Sequence, residues 1–308
     1  MDAIEKDLLL KIADLHGVPE GAYNIRGNSE SLGRNTTANI DIVSKTDGKS
    51  GIDIYVKPGT KKESMHIPVI ISKAGLQEVV YNDFHIGEGA DVVIVAGCGI
   101  HNCGGVEMTS RPDGVHTFYV GKNAKVKYVE KHYGSGDGLG KNVMNPETVV
   151  YLDEGAYMEM ETTQIKGIDS SNRVTTAELK ANARFVVKEK LYTHGEQEVN
   201  TDFVVEMNGE NCSADIMSRS VAADKSKQNF VSTMNGNAPC KGHTECDAII
   251  MDDASVKAAP CLTANNIDAE LIHEAAIGKI AGEQLTKLMT LGLTEKEAEE
   301  QIIKGFLH

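Results

Sequence analysis

A strand–turn–strand unit recurs through the middle of this chain with a period of about 30 residues. In each copy an alternating stretch leads into a tight turn, then a small residue, then a second alternating stretch. The copies are FHIGEGADVVIVA (84–96), FYVGKNAKVKYVE (118–130), VVYLDEGAYMEME (149–161), AELKANARFVVKE (177–189) and VVEMNGENCSADIM (204–217). A repeat of this length is typical of stacked coils, in which each unit covers the apolar face of the next.

A small residue follows the turn in every copy. These residues are Ala90, Ala124, Ala156, Ala183 and Cys212, and we expect a sixth copy at Ala254. A parallel β-helix needs a small side chain at such a corner, because the chain bends there and the interior leaves little room. An antiparallel sandwich or barrel of hairpins also fits short strands between turns, so the residues alone leave both architectures open. In either case we predict a mainly β core over residues 51–266.

The segments before this core have a different pattern. Residues 2–16 carry apolar side chains at helical spacing, and Gly17 and Pro19 follow as stop signals, so we predict a short N-terminal helix. Residues 20–50 are rich in Gly, Asn, Ser and Thr, which is typical of a linker, although NIDIVSKT within them could add a strand. Residues 1–50 are therefore interpreted as a helix and a lead-in segment.

Residues 267–308 have the pattern of helices. DAELIHEAAIGKIA begins with Asp268 as a candidate N-cap, and EQLTKLMTL stops before Gly292, a residue type common after helix ends. Thr294 and Glu297 then form a capping box that would open a last helix. We predict three short helices, which either cover the open end of the β core or present a docking surface.

The charge balance limits the possible partners. With 45 acidic and 31 basic residues the formal net charge is −14, which argues against a surface for nucleic acid or for an anionic membrane. No apolar run approaches the roughly 18 residues of a spanning helix, and the acidic start of the chain does not fit a signal peptide. We expect a cytoplasmic protein with reduced thiols. No CxxC pair occurs among the six cysteines, which argues against zinc ribbons and thioredoxin-like sites.

Cys246 and the pair His273–Glu274 form the first candidate site. A thiolate, an imidazole and a carboxylate suit iron or an iron–sulfur cluster, with the carboxylate as the more exchangeable ligand. On the predicted helix, neighbouring side chains point about 100° apart, so one ion cannot easily be held by both His273 and Glu274. A symmetric dimer would supply each ligand twice, which favours a site shared between two chains. A buried cysteine beside a helical histidine and a surface glutamate is equally an ordinary structural combination.

Cys98, His101 and Cys103 form the second candidate site, in AGCGIHNCGG. We interpret this segment as a Gly-rich turn in which Cys98 is reachable and can act as a nucleophilic thiolate. The three side chains could also bind zinc or iron, although their spacing does not match a standard finger, and a purely structural turn remains an alternative.

The C-terminal sequence resembles one known family. CDAIIMDD, NNIDAELIHEAAIGKIAGEQL and LMTLGLTEKEAEEQIIKGF are similar to the C-terminal core of the SufB/SufD iron–sulfur cluster assembly scaffolds. Two shorter segments add to this likeness, since GKNAKVKYVEK resembles the repeated coil of that family and IVAGCG resembles its EGC segment.

The resemblance implies a right-handed parallel β-helix between helical ends. It implies a non-enzymatic scaffold that builds a transient iron–sulfur cluster together with an ABC-type ATPase subunit, which would dock on the C-terminal helices. Cys246 and Glu274 fall on positions associated with cluster ligation in SufB-type chains, and His273 falls on a position used in SufD-type chains. Cys98 falls on the cysteine associated with persulfide sulfur, so a sulfur donor and acceptor apoproteins are expected partners.

The chain also departs from the family pattern. It lacks an extended cysteine-bearing N-terminal region, and His101 and Cys103 stand where small residues usually follow the first cysteine. Because one chain carries Cys246, Glu274 and His273 together, we expect a homodimer. Two alternatives to the scaffold are a SufD-like structural partner that holds no cluster, and a β-helix enzyme acting on carbohydrate, for which the sequence shows no clear set of paired carboxylates.

Overall fold

The computed structural model describes residues 2–105 and 108–307 of the chain. Within these residues two ten-stranded sheets face each other. Sheet A contains β1 (Ala22–Gly27), β2 (Glu30–Asn35), β5 (Lys61–Ile71), β7 (Asp91–Asn102), β9 (Lys125–Gly136), β12 (Tyr157–Lys166), β14 (Arg184–Thr193), β16 (Cys212–Ala222), β18 (Cys240–Ile250) and β20 (Glu270–Gly278). Sheet B contains β3 (Ile40–Ser44), β4 (Gly51–Val56), β6 (Gln77–Ile86), β8 (Thr109–Val120), β10 (Lys141–Met144), β11 (Glu147–Leu152), β13 (Ser170–Leu179), β15 (Glu198–Met207), β17 (Lys227–Gly236) and β19 (Ser255–Ala264).

The chain alternates between the two sheets, so that each coil contributes to both. From β4 onward the neighbouring strands of both sheets pair in parallel, whereas β1 with β2 and β3 with β4 are antiparallel. This arrangement is a parallel β-solenoid and confirms the mainly β fold of stacked coils. Residues 20–50 contain the strands β1, β2 and β3, so the prediction of a linker there is wrong. The strand predicted at NIDIVSKT is present as β3.

The repeated small residues mark one corner of the solenoid. Ala90, Ala124, Ala156, Ala183 and Cys212 are at most 1% exposed, and each leads into a strand of sheet A. The residue before each of them has φ between 54° and 68°, and these residues are Gly89, Asn123, Gly155, Asn182 and Asn211. Gly and Asn tolerate this left-handed conformation, which turns the chain sharply into the next strand.

The sixth corner lies at a position different from the predicted one. Cys240 pairs in register with Cys212 and is buried at the start of β18, so it continues the series in sheet A. Ala254 is only half-buried and leads into β19 of sheet B, at the other turn of the coil. Side chains from both sheets fill the interior, where the ring centroids of Phe84 and Phe118 stack 4.3 Å apart.

Helix α1 (Ala3–Ala13) confirms the short N-terminal helix. It begins with a capping box between Asp2 and Glu5, and it buries Leu8, Leu9 and Ile12 against sheet A. Because the solenoid is already filled, these side chains form a separate apolar layer on its outer surface.

Helices α2 (Gly282–Thr290) and α3 (Glu295–Phe306) end the described chain. The capping box of Thr294 and Glu297 opens α3 as predicted. The prediction of the first of three C-terminal helices is wrong, because residues 270–278 form β20. This strand pairs with β18 and extends the solenoid beyond residue 266. The exposed edge of β18 offers a complete ladder of backbone partners, and this pairing outweighs the helix propensity of the Ala- and Glu-rich segment. No helix among the described residues is long and apolar enough to cross a membrane.

Candidate functional site

Cys246 and His273 lie on the interior side of the last two strands of sheet A. Cys246 is 1% exposed, and His273 is half-buried and pairs in register with Thr244, two residues before Cys246. Alternate residues of a strand share a face, so both side chains belong to the inward row. Among the described residues, the buried Nδ1 atom of His273 meets no hydrogen-bond partner.

Glu274 points the other way. It follows His273 on β20, and strand geometry therefore sends it to the outer face, where its side chain is 71% exposed. Its Oε2 atom lies 3.9 Å from Nε2 of His243. The predicted divergence of about 100° on a helix is thus replaced by opposite faces of a strand, which separates the three candidate ligands more completely than expected.

Burial controls the chemistry of Cys246. Desolvation, and then the nearby carboxylates of Glu189 and Asp247, raise the pKa of its thiol to about 12. At neutral pH the thiol is therefore protonated, and binding of iron or a cluster there must release a proton. Such binding also requires access from the open end of the solenoid, beyond β20.

Cys98 is not in an exposed turn. It lies within β7, faces the interior, and packs beside Ile100, Met144 and Ile168. Burial, assisted by nearby carboxylates of which Glu78 is the strongest, raises the pKa of its thiol well above the usual value. The predicted reachable thiolate is therefore wrong for this conformation of the chain.

The glycines beside Cys98 serve a packing role. A Cβ atom on Gly97 would lie 2.9 Å from the carbonyl oxygen of Ile12, and one on Gly99 would lie 3.2 Å from Cβ of Leu8. Helix α1 can approach β7 closely only because both positions lack side chains. The glycines that we interpreted as part of an open turn are therefore explained by the close packing of α1 against β7.

His101 and Cys103 come together at the end of β7. The Nε2 atom of His101 lies 3.1 Å from Sγ of Cys103, which is exposed, and its Nδ1 atom lies 3.0 Å from Oγ of Ser135 on β9. Within the described residues, no group of three or more His, Cys, Asp or Glu side chains is close enough to hold a metal ion.

The fold and these cysteines can be compared with known proteins. The family described as "SUF system FeS cluster assembly, SufBD core domain" matches residues 70–306. This chain belongs to the SufBD family. It is 32% identical over 269 residues to an iron-sulfur cluster assembly SufBD family protein of Methanocaldococcus jannaschii, covering 85% of this chain and 82% of that one.

Other relatives agree with this membership. A SufBD family protein of Pyrococcus horikoshii is 28% identical, and the match covers 96% of this chain and 84% of that protein. The iron-sulfur cluster assembly protein SufB of Bacillus subtilis is 34% identical over 101 residues, which are 32% of this chain and 22% of that protein. The context of this SufBD protein is therefore iron–sulfur cluster assembly in the SUF system.

A row of polar side chains crosses the interior of this SufBD solenoid between the coils of the two buried cysteines. His132 pairs in register with Cys98, and Ser218 pairs in register with Cys246. Between them Arg173 donates to Glu130 at 2.7 Å and lies 3.2 Å from Nδ1 of His132. Farther along, Thr201 and Ser218 donate to the two carboxylate oxygens of Glu189 at 3.1 Å and 2.7 Å. We name these six residues, Glu130, His132, Arg173, Glu189, Thr201 and Ser218, the interior polar row.

Electrostatics hold the first part of the interior polar row together. Burial alone would raise the pKa of Glu130, but His132 and Arg173 outweigh it and hold that pKa well below the usual value. Glu130 is thus a buried carboxylate with a matched cation, which is the condition under which a charge persists inside a protein.

His243 was not a candidate ligand in the sequence, yet it lies beside Glu274 on the outer face. Its Nδ1 atom is 2.9 Å from Oδ1 of Asp215 in the preceding coil. The sequence feature that could have predicted this contact is the spacing of 28 residues between Asp215 and His243, which is the length of one coil. That spacing becomes informative only once the register of the coils is known.

Proposed function

We propose that this SufBD protein is a scaffold subunit that assembles an iron–sulfur cluster between two copies of the chain. The observation that carries the proposal is the open end of the solenoid. There Cys246 of β18 and His273 of β20 face inward, and Glu274 of β20 faces outward. A single chain brings together too few ligands in its described residues to hold a metal ion. A second chain joined at this end would double the supply of thiol, imidazole and carboxylate.

The exposed edges of β19 and β20 support a homodimer. They are the last strands of their sheets, and among residues 2–105 and 108–307 neither has a strand partner along its outer edge of backbone donors and acceptors. Such an edge is a template for another chain, and Ile272 on β20 adds an apolar side chain that is 55% exposed. Pairing of two copies would satisfy these groups and bring both candidate half-sites to one interface.

Helices α2 and α3 are the proposed docking surface for an ABC-type ATPase, which would supply the ATP hydrolysis that the scaffold does not perform. Leu291 and Met289 are 77% and 44% exposed, and α2 has no buried residue. A cleft of about 750 Å³ lies between α3 and the C-terminal ends of β18 and β20. A partner bound to the helices would therefore lie close to the strands that carry Cys246 and His273, where it could change access to the cluster.

One test of the scaffold is anaerobic reconstitution with iron and sulfide, followed by absorption spectroscopy and by iron and sulfide analysis. We expect Cys246→Ala to lose most of the cluster bound by the wild-type chain, because its thiolate is the strongest ligand of the site. Cys240→Ala is the matched control, since Cys240 is a buried, inward-facing cysteine on the same strand. Equal cluster content in the wild type and Cys246→Ala would contradict the assignment.

A SufD-like partner that holds no cluster is the second candidate. The burial of Cys246, with the pKa of its thiol raised to about 12, and the opposite orientation of Glu274 favour this alternative. It predicts that the purified chain binds no cluster alone, and that it forms a stable complex with a separate SufB-type chain. Co-purification followed by reconstitution distinguishes the two roles.

A further inference from the structure

At the surface, the end of β7 carries a thiol and an imidazole that form a row of side-chain contacts with a hydroxyl group on β9. The Sγ atom of Cys103 lies 3.1 Å from Nε2 of His101, and Nδ1 of His101 lies 3.0 Å from Oγ of Ser135. A nucleophile within hydrogen-bonding distance of a base that is itself oriented by a third group is the arrangement used for nucleophilic catalysis.

The hydrogen bonds of Ser135 favour one tautomer of His101. The hydroxyl of Ser135 has one proton, and it donates that proton to the carbonyl oxygen of Ile100 at 3.3 Å. Its oxygen can then accept from Nδ1 of His101, and on this basis we assign the imidazole proton to Nδ1. The unprotonated Nε2 atom therefore faces Cys103, where it can accept the proton of the thiol.

The position of Cys103 is fixed by the residues next to it. The side chain of the buried Asn102 donates to the carbonyl oxygens of Met108 at 2.8 Å and Lys141 at 3.1 Å, and it accepts from the backbone of Gly104 at 3.2 Å. These bonds anchor the chain on both sides of Cys103. The thiol is therefore held at the surface beside its base, whereas Cys98 is enclosed in the interior.

We propose that Cys103, His101 and Ser135 form a reactive-thiol site that accepts sulfane sulfur from a donor persulfide. The choice of sulfur as the transferred group rests on the proposed scaffold function, because cluster assembly consumes sulfur and a thiol carries it as a persulfide. His101 takes the proton of Cys103, and the thiolate attacks the outer sulfur of the donor. The new S–S bond forms as the donor S–S bond breaks, and the donor thiolate leaves and takes up the proton. The donor persulfide becomes a thiol and Cys103 becomes a persulfide, with no net oxidation or reduction.

The test exposes the full chain briefly to glutathione persulfide at neutral pH, traps the thiols with iodoacetamide, and locates the added sulfur by peptide mass spectrometry. Cys261 is the internal control, since it is the other exposed cysteine, and no histidine within residues 2–105 and 108–307 lies within hydrogen-bonding distance of its sulfur. We expect Cys103 to gain sulfur on the order of 10²-fold faster than Cys261.

His101→Gln removes the base while keeping a side chain of similar size. It should slow sulfur transfer to Cys103 to the rate of Cys261 at neutral pH. The two chains should converge above roughly pH 9, where an ordinary thiol ionises without a base. Unchanged thermal unfolding of the variant shows that the fold is retained. Equal rates for wild type and His101→Gln at neutral pH, or sulfur that accumulates first on Cys98, would overturn the proposal.

A second measurement separates this inference from the scaffold function. Inorganic sulfide bypasses a persulfide donor, so Cys103→Ser should assemble as much cluster from iron and sulfide as the wild type. A wild-type chain that binds no cluster but loads sulfur on Cys103 in a His101-dependent way would refute the scaffold and retain the reactive thiol. Normal cluster assembly together with an inert Cys103 would refute the reactive thiol alone.

Discussion

At the scale of single residues, the interior polar row is the most unusual feature of this protein. Most side chains inside the solenoid are apolar and come from both sheets, and the row adds a buried pair of opposite charges among them. Glu130 and Arg173 are each at most 5% exposed, so their charges persist inside the solenoid only because they are paired. Loss of one partner should therefore be far more damaging than loss of a surface pair.

Arg173→Met tests this pair. Because it leaves Glu130 as an unpaired buried carboxylate, we expect it to lower the free energy of unfolding by about 3 to 5 kcal/mol at pH 7, measured by urea denaturation. Lys188→Met is the matched control: Lys188 contacts Glu159 at 2.8 Å on the outer face, and its loss should cost about 1 kcal/mol or less. A similar loss of unfolding free energy in the two variants would show that the buried pair stabilises the fold no more than the surface pair does.

Glu130 also predicts a pH dependence. Its pKa in the folded chain lies well below the ordinary value of 4.5, so its ionised form stabilises the fold above pH 4.5. That contribution is lost as the pH falls below 4.5 toward the depressed value. Glu130→Gln should therefore be less stable than the wild type at pH 7 and lose less stability on acidification, as measured by thermal unfolding across this range. An unchanged slope would contradict the assigned shift.

At the scale of elements, β20 decides how the chain can associate. It pairs with β18 along one edge, and no strand in the described part of the chain pairs with its other edge. Natural proteins protect such edges with charges, bulges or covering segments, and a long unprotected edge is an association site. The exposure of Ile272 on this strand fits a surface that a second chain covers.

Ile272→Lys tests this surface. A charge at the centre of the proposed interface should shift the protein from dimer to monomer in light scattering coupled to size-exclusion chromatography, because the lysine would have to be desolvated against the partner chain. Val93→Lys is the matched control: Val93 is also an exposed apolar residue on an inner strand of sheet A, far from the open end. A dimer that survives Ile272→Lys would place the interface elsewhere.

At the scale of the whole molecule, the solenoid and the C-terminal helices have separate roles. Among the described residues, the apolar clusters inside the solenoid include no side chain of α2 or α3. A stack of coils is stabilised by contacts between neighbouring coils, so an appended pair of helices can be removed without opening it.

Deletion of residues 283–308 tests this division. We expect the truncated chain to keep its β circular dichroism and a thermal unfolding midpoint close to that of the full chain, and to lose binding to a SufC-like ABC ATPase in a pull-down. Leu291→Asp in the full chain is the control for gross truncation effects, because it changes one exposed side chain on the proposed surface. Retained binding by both variants would move the docking site onto the solenoid.

Much of this organisation follows from local sequence. The period of about 30 residues, the buried small residue at five of the six predicted corners and the capping box of Thr294 and Glu297 are short-range signals, and the structure confirms them. Family membership was likewise visible in the C-terminal motifs and agrees with the match over residues 70–306. Each of these features depends only on residues close in sequence, because the residue types there determine the local backbone conformation.

Tertiary structure alone decided the chemistry of the candidate sites. The segment of His273 and Glu274 has helix-forming residues, but the free edge of β18 turned it into a strand and sent the two side chains to opposite faces. Cys98 is buried because its place in β7 turns its side chain into the solenoid, and His101 meets Ser135, 34 residues later, because β7 and β9 are in register. Such contacts join residues one coil or more apart, so local propensity cannot specify them, and only the stacking of the coils brings them together.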